Sequence, residues 1–157
     1  MLLSIIRDAS ARVFSQLGSG HSEKIYHKAL HCELISLGFN ITSEYHVPIT
    51  YKDSKNNVHI LESERIDILI HSHSHNDYKE IENKNVILEL KSISKNIQEQ
   101  EKNQVFKYIK SLCNLEFAYG IVINFPQPSN KEIKDKIDFC VVHPKREFLS
   151  FEELNVI

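Results

Sequence analysis

The sequence predicts an α/β fold, with helices packed on a central sheet. Three observations predict it. Apolar residues recur at helical spacing in two N-terminal segments and again after residue 97. Strand-sized apolar segments fill the intervals, two of them with alternating faces. Turn residues separate the segments. The order is α-α-β-β-β-α-β-β, with no internal repeat and no linker, so 1–157 reads as a single domain.

The opening MLLSIIRDASARVFSQLG puts Leu3, Ile6, Ser10, Val13, Phe14 and Leu17 on one helical stripe. Its basic residues follow the apolar part and no small-residue cleavage site ends it, so it reads as a first helix and not as a signal peptide. "LGSG" breaks the pattern. A second helix is expected over about 21–37, with Glu23, Tyr26, Leu30, Leu34 and Leu37 on one face and Gly38 as its stop. "FNITSEYHVPITYK" reads as a strand in which Pro48 marks an edge or an irregularity, and "SKNN" as a turn. "ERIDILIH" and "NVILELKS" follow as strands. A helical stripe through Val105, Tyr108, Ile109 and Leu112 fits a helix over about 97–113, before the strands "FAYGIVINF" and "IDFCVVHP".

Bulk properties exclude some classes. The 157 residues are 41% apolar and 25% charged, a globular balance, and the longest apolar runs are too short to span a membrane. Cys32, Cys113 and Cys140 are far apart and form no CxxC pair, which argues against a zinc ribbon or an iron–sulfur cluster. A reducing compartment fits them, so an intracellular protein, cytoplasmic or nuclear, is expected. The net charge of −2 gives no global attraction to nucleic acid, so such binding would need a local patch.

Two strands carry chemistry. In ERIDILI, Ile66, Ile68 and Ile70 are expected on one face and Arg65, Asp67 and Leu69 on the other. In VILELK, Val86, Leu88 and Leu90 share a face opposite Ile87, Glu89 and Lys91. If the strands are neighbours, Asp67 and Glu89 meet with Lys91 beside them. Two close carboxylates repel unless a positive charge sits between them, and their hard oxygens suit magnesium or manganese. A wet sheet face would show the same alternation. Glu23 opens the buried stripe of the second helix, where it also suits the helix dipole, and Gln104 borders the stripe of the later helix.

Gly20-His-Ser-Glu23-Lys-Ile-Tyr26 resembles the signature of the GxxExxY proteins, and "ALHCELISLGF", "ERIDILI", "VILELKS", "NQVFKYIKS" and "YGIVINF" follow in that family's order. The resemblance spans about residues 14–142. It implies the restriction-endonuclease-like PD-(D/E)XK core, α-β-β-β-α-β, with a mixed central sheet flanked by helices and an extra N-terminal helix. It implies Asp67 and Glu89 as metal-binding acids, with the Leu90 carbonyl as a further ligand and Glu23 as an acid from the first core helix. Lys91 would orient the attacking water or stabilise charge on the phosphate. Gln104 would belong to a Q-x-x-x-Y element with Tyr108. Asn124 falls in the signature without a chemical role. The implied activity is Mg2+-dependent hydrolysis of nucleic acid, DNA before RNA, with Mn2+ as substitute and with a homodimer or a larger assembly as the setting. Two departures stand out: a polar insertion, HSHSHNDYKEIENKN, between the Asp and Glu strands, and Pro126 where glycine usually follows "INF".

Lys95, Lys102, Lys107 and Lys110 around the later helix, and Lys131, Lys134 and Lys136 after the fourth strand, are candidate phosphate contacts. Interleaved acids make a solvated face the alternative. His71, His73 and His75 alternate, and His27 and His31 sit four apart, but no third or fourth zinc ligand is nominated. A nuclease-fold binding or assembly subunit is the rival from another class, and a phosphoesterase acting on small molecules is a third reading.

Overall fold

The computed structural model describes residues 2–72, 84–129 and 135–145, and the backbone of 148–150. His73, His75, Lys131 and Lys134 lie outside these residues, as does most of the insertion. The described chain runs α1 (Leu2–Leu17), α2 (Glu23–Ser36), β1 (Ile41–Lys52), β2 (Val58–Ile70), β3 (Asn85–Lys91), α3 (Glu99–Ser111), β4 (Phe117–Asn124), β5 (Asp138–Val142) and β6 (Phe148–Ser150). All expected elements are present. β2 begins six residues earlier than the apolar pattern indicates, because its first half is exposed ribbon with no buried face. The short β6 gives no sequence signal.

The strands form one mixed sheet in the order β1-β2-β3-β4-β5-β6. β3 and β4 are parallel, joined by the α3 crossover, and the other neighbours are antiparallel. Pro48 lies on β1, an edge strand, where a missing N–H is tolerated.

Helices cover both faces. Leu2, Ile6, Val13 and Phe14 of α1 and Tyr26, Leu30 and Leu34 of α2 pack on Ile68, Ile70, Val86, Leu88, Leu90, Ile121 and Ile123. Val105, Tyr108 and Leu112, on and just after α3, pack with Leu69, Ile87 and Val122 on the other side. α2 stops where the backbone of Gly38 turns left-handed (φ 88°), and the N–H groups of Gly38 and Phe39 cap Ile35 and Leu34 at 3.0 and 3.1 Å.

One expectation is corrected. Ile66 does not share a face with Ile68 and Ile70; it packs in the α3-side cluster with Val47 and Leu69. The ribbon is irregular where Glu44 takes a left-handed backbone (φ 54°), between the pairs Ser43↔Ile68 and Tyr45↔Ile66. Period-2 alternation fails across such a kink.

The seat of α3 is tight. A Cβ added to the buried Gly120 on β4 would overlap Val105 Cγ1, and Val105 is fully buried. Gly120→Ala is expected to destabilise the fold by about 1–3 kcal/mol through overpacking, read as a lower midpoint in urea at unchanged slope.

Candidate active site

The site forms where β2 and β3 part. Their ladder contains Ile70↔Val86, Leu69↔Ile87 and Ile68↔Leu88, and then stops. Beyond it the Asp67 side chain replaces the missing strand, its Oδ2 accepting the Leu90 N–H at 2.7 Å. That bond aims a carboxylate at the point where the sheet opens.

On β3, alternation puts Val86, Leu88 and Leu90 in the α1/α2 core and turns Glu89 and Lys91 the other way. Glu89 is only 3% exposed. Its Oε1 accepts a bond from Lys91 Nζ at 3.0 Å, while its buried Oε2 accepts none. Lys91 Nζ also donates to Gln104 Oε1 at 3.2 Å, and Gln104 Nε2 donates to Tyr108 Oη at 2.8 Å. Gln104 and Tyr108 are one turn apart on α3, so the helix clamps the lysine from above the sheet.

Glu23 enters from the N-terminus of α2, and the loop before it is pinned. Tyr26 Oη donates to the Gly18 carbonyl at 2.6 Å and accepts the His21 N–H at 3.4 Å. The Tyr26 ring stacks on Phe125 with centroids 4.6 Å apart. Gln127 and Ser92 donate to the His21 carbonyl at 2.6 and 3.3 Å, and Gln127 also donates to Ser92. Gly20 completes the turn at φ 98°. Gly20, Glu23 and Tyr26 are therefore one mechanical unit: turn, acid and anchor.

Asn124 gains a role that the sequence leaves blank. Fully buried at the end of β4, it accepts the Ile93 N–H at 3.0 Å and donates to the carbonyls of Ile93 and Lys95 at 3.2 and 3.3 Å. It ties the segment after Lys91 to the neighbouring strand.

The electrostatics follow from this crowding. Burial and then the nearby Asp67 charge push the Glu89 carboxyl up to about 7, against the pull of Lys91. Burial also raises Asp67, opposed by the Leu90 N–H and by the charges of His27 and Lys91. Glu23 is raised by burial and by Asp67. Burial alone would lower Lys91, but Glu89, Glu23 and Asp67 outweigh it and hold the ammonium above its ordinary value. Burial pushes the Tyr108 hydroxyl up to about 12, keeping it neutral.

Glu23, Asp67, Glu89, Lys91 and Gln104 thus line one cleft of about 780 Å³. The candidate lysines do not all share one surface. Lys107 lines this cleft and pairs with Glu64 at 2.7 Å, and Lys110 lines the adjoining groove, its Nζ 5.6 Å from the Phe106 ring centroid. Lys102 pairs with Glu99 at 3.4 Å, and neither it nor Lys95 lines the cleft or that groove. Lys136 lies on the far side of the sheet, in a pocket beside Arg7 and Phe14 of α1. His71 bonds Thr42 at 2.7 Å and His31 bonds Ser43 at 2.6 Å.

Glu44 and Glu64, which the sequence does not single out, join the site, and so does His27, which it names only as half of a possible zinc pair. Glu44 lines the cleft, raises Asp67 and pairs with Arg65 at 3.3 Å. His27 acts on Asp67, and its Nε2 is buried without a hydrogen bond. Glu64 reaches Lys107 across 43 residues of sequence. Only the one-turn spacing of Glu23 and His27 could have hinted at any of them.

Among the described residues, no three His, Cys, Asp or Glu side chains converge into a ready metal cage. No described helix is long and apolar enough to cross a membrane.

A comparison with curated proteins gives no match. A solved structure described as "Crystal structure of SSO0001" is similar at 17% identity with a TM-score of 0.46, over 88% of this chain and 64% of that one. The chain therefore spans less than two thirds of that protein's length. The family model described as PD-(D/E)XK nuclease superfamily matches residues 1–136, which include every element that builds the cleft; the chain belongs to the PD-(D/E)XK nuclease superfamily.

Proposed function

We propose that the protein is a divalent-metal-dependent nuclease of the GxxExxY type, hydrolysing phosphodiester bonds of nucleic acid, DNA in preference to RNA. The observation that carries this is Glu89: a buried carboxylate with one oxygen on Lys91 and the other on nothing, beside a second acid. A buried oxygen acceptor without a partner is costly, and a divalent cation would relieve both that oxygen and the mutual repulsion of the acids.

The donor set fits a hard divalent ion. Magnesium takes oxygen ligands, keeps several waters and needs only one or two carboxylates, so a full protein cage is not required. Asp67, Glu89 and the Leu90 carbonyl would hold it, with Glu23 on the open side; Mn2+ would substitute. When bound, the ion supplies Lewis acidity at the scissile phosphate.

The remaining work falls to the chain's own groups. Lys91 stays protonated among the three acids and presents Nζ to the negative charge that develops on the phosphate. Gln104 fixes that ammonium through its Oε1, and Tyr108 fixes Gln104. Asp67 is oriented by the Leu90 N–H before any ligand arrives, so little reorganisation is needed. Glu23 can accept a hydrogen bond from the attacking water, a position set by the Tyr26 anchor.

The test is cleavage of linear, circular and single-stranded DNA and of RNA, with Mg2+, Mn2+ or EDTA. Cutting that needs the cation and is lost in Glu89→Gln is the expected result. Tight binding without cutting would instead assign the chain to a binding or assembly role.

A further inference from the structure

We propose that Glu64 occupies, in the free protein, the place of a flanking phosphate of the substrate, and that one nucleic-acid strand leaves the acid cleft between β1 and α3 along Lys107 and Lys110. The inference rests on the nuclease reading above and adds the route of the strand and the group that must give way to it.

Lys107 lines both the acid cleft and the neighbouring groove of about 540 Å³, so it stands at the junction of the two. The groove has Ile49 and Thr50 of β1 on one wall and Phe106 and Lys110 of α3 on the other. Lys107 and Lys110 are one turn apart on α3, with Cβ atoms about 5–6 Å apart, a separation that suits neighbouring phosphates of one strand. Phe106 lies beneath Lys110 and packs on the α3-side core, so it gives that lysine a fixed seat on the groove wall.

Charge explains why Glu64 must move. Five acids and three bases line the cleft, so it repels a polyanion except where cations lead it in. Glu64 Oε1 accepts from Lys107 Nζ at 2.7 Å, as a phosphate oxygen would. The two side chains are 29% and 50% exposed, and an ion pair that wet is weak. It is strong enough to order Lys107 and weak enough to be displaced. Glu89, by contrast, is buried, and the half-buried Asp67 is held by the Leu90 N–H.

The test is Glu64→Gln, alone and with Lys107→Ala, in a Lys91→Ala background that keeps the acids but slows cutting. Binding of labelled single-stranded and duplex oligonucleotides is read by fluorescence anisotropy in Mg2+ at several salt concentrations. Glu64→Gln is expected to bind the single strand about two- to fivefold more tightly, with a salt slope steeper by about 0.7. The gain should vanish when Lys107 is also removed. If the parent binds and Glu64→Gln binds no tighter, the inference fails alone. If the gain appears only with duplex, the one-strand groove is wrong. If the parent binds neither oligonucleotide, the nuclease reading falls with it.

Discussion

Glu89→Gln is expected to stabilise the cation-free protein above pH 7 while abolishing its response to magnesium. The Glu89 carboxyl is raised from 4.5 to about 7, first by burial and then by Asp67. A carboxyl raised on folding contributes stability that is complete below its unfolded value, near 4.5, and is lost as pH rises through about 7. At pH 8 the wild type therefore carries a penalty on the order of 3 kcal/mol from this group. Glutamine has the same shape without the charge, so the variant should melt several degrees higher at pH 8 without metal, and its stability should vary less between pH 5 and 8. Added Mg2+ should raise the wild-type melting temperature by mass action and leave the variant unmoved. Cleavage should fall by about 10²- to 10³-fold or more. A variant less stable than wild type at pH 8 would mean that the Lys91 bond outweighs burial and repulsion.

Tyr26→Ala should give the largest loss of stability. The ring is fully buried against Phe125 and Phe14, and its hydroxyl joins the Gly18 carbonyl and the His21 N–H. Emptying such a site costs about 3–5 kcal/mol, or a melting temperature lower by about 10 °C. Tyr26→Phe separates packing from anchoring. It keeps the stack but releases the loop before Glu23, so stability should fall by only about 1–2 kcal/mol. Activity should fall further than that stability loss explains. If Tyr26→Phe matches wild type in both, the anchor does not position Glu23.

How much of this is legible in the sequence depends on the range of the interaction. Glu89 and Lys91 are legible because period-2 geometry is local and β3 is regular from Val86 to Lys91. Gln104 and Tyr108 are legible because a helix turn is local. The meeting of Asp67 with Glu89 is legible only if β2 and β3 are taken as neighbours, which the ordered motifs imply. The face of Ile66 is not legible, because nothing in Ser-Glu44-Tyr announces a left-handed residue. Asn124 hides its role for another reason: apart from the Asp138 carboxylate, its partners are backbone groups of residues 93 and 95, about 30 positions away, and main-chain groups leave no trace in composition. The Glu64–Lys107 pair is hidden by distance along the chain, since opposite charges on an exposed strand and an exposed helix face look like ordinary surface.

Whether the cleft is a metal-dependent nuclease site is decided by one rate comparison: Mg2+-dependent cleavage of a DNA oligonucleotide by wild type and by Lys91→Ala, at saturating cation. Asp67 and Glu89 keep their places without Lys91, since Asp67 is held by the Leu90 N–H and Glu89 by its strand. Wild type is expected to cut in a reaction that EDTA stops, and Lys91→Ala to cut about 10²-fold or more slowly with cation binding retained. An unchanged rate in the variant would remove Lys91 from the chemistry, and no cutting of any nucleic acid by wild type in Mg2+ or Mn2+ would overturn the nuclease reading.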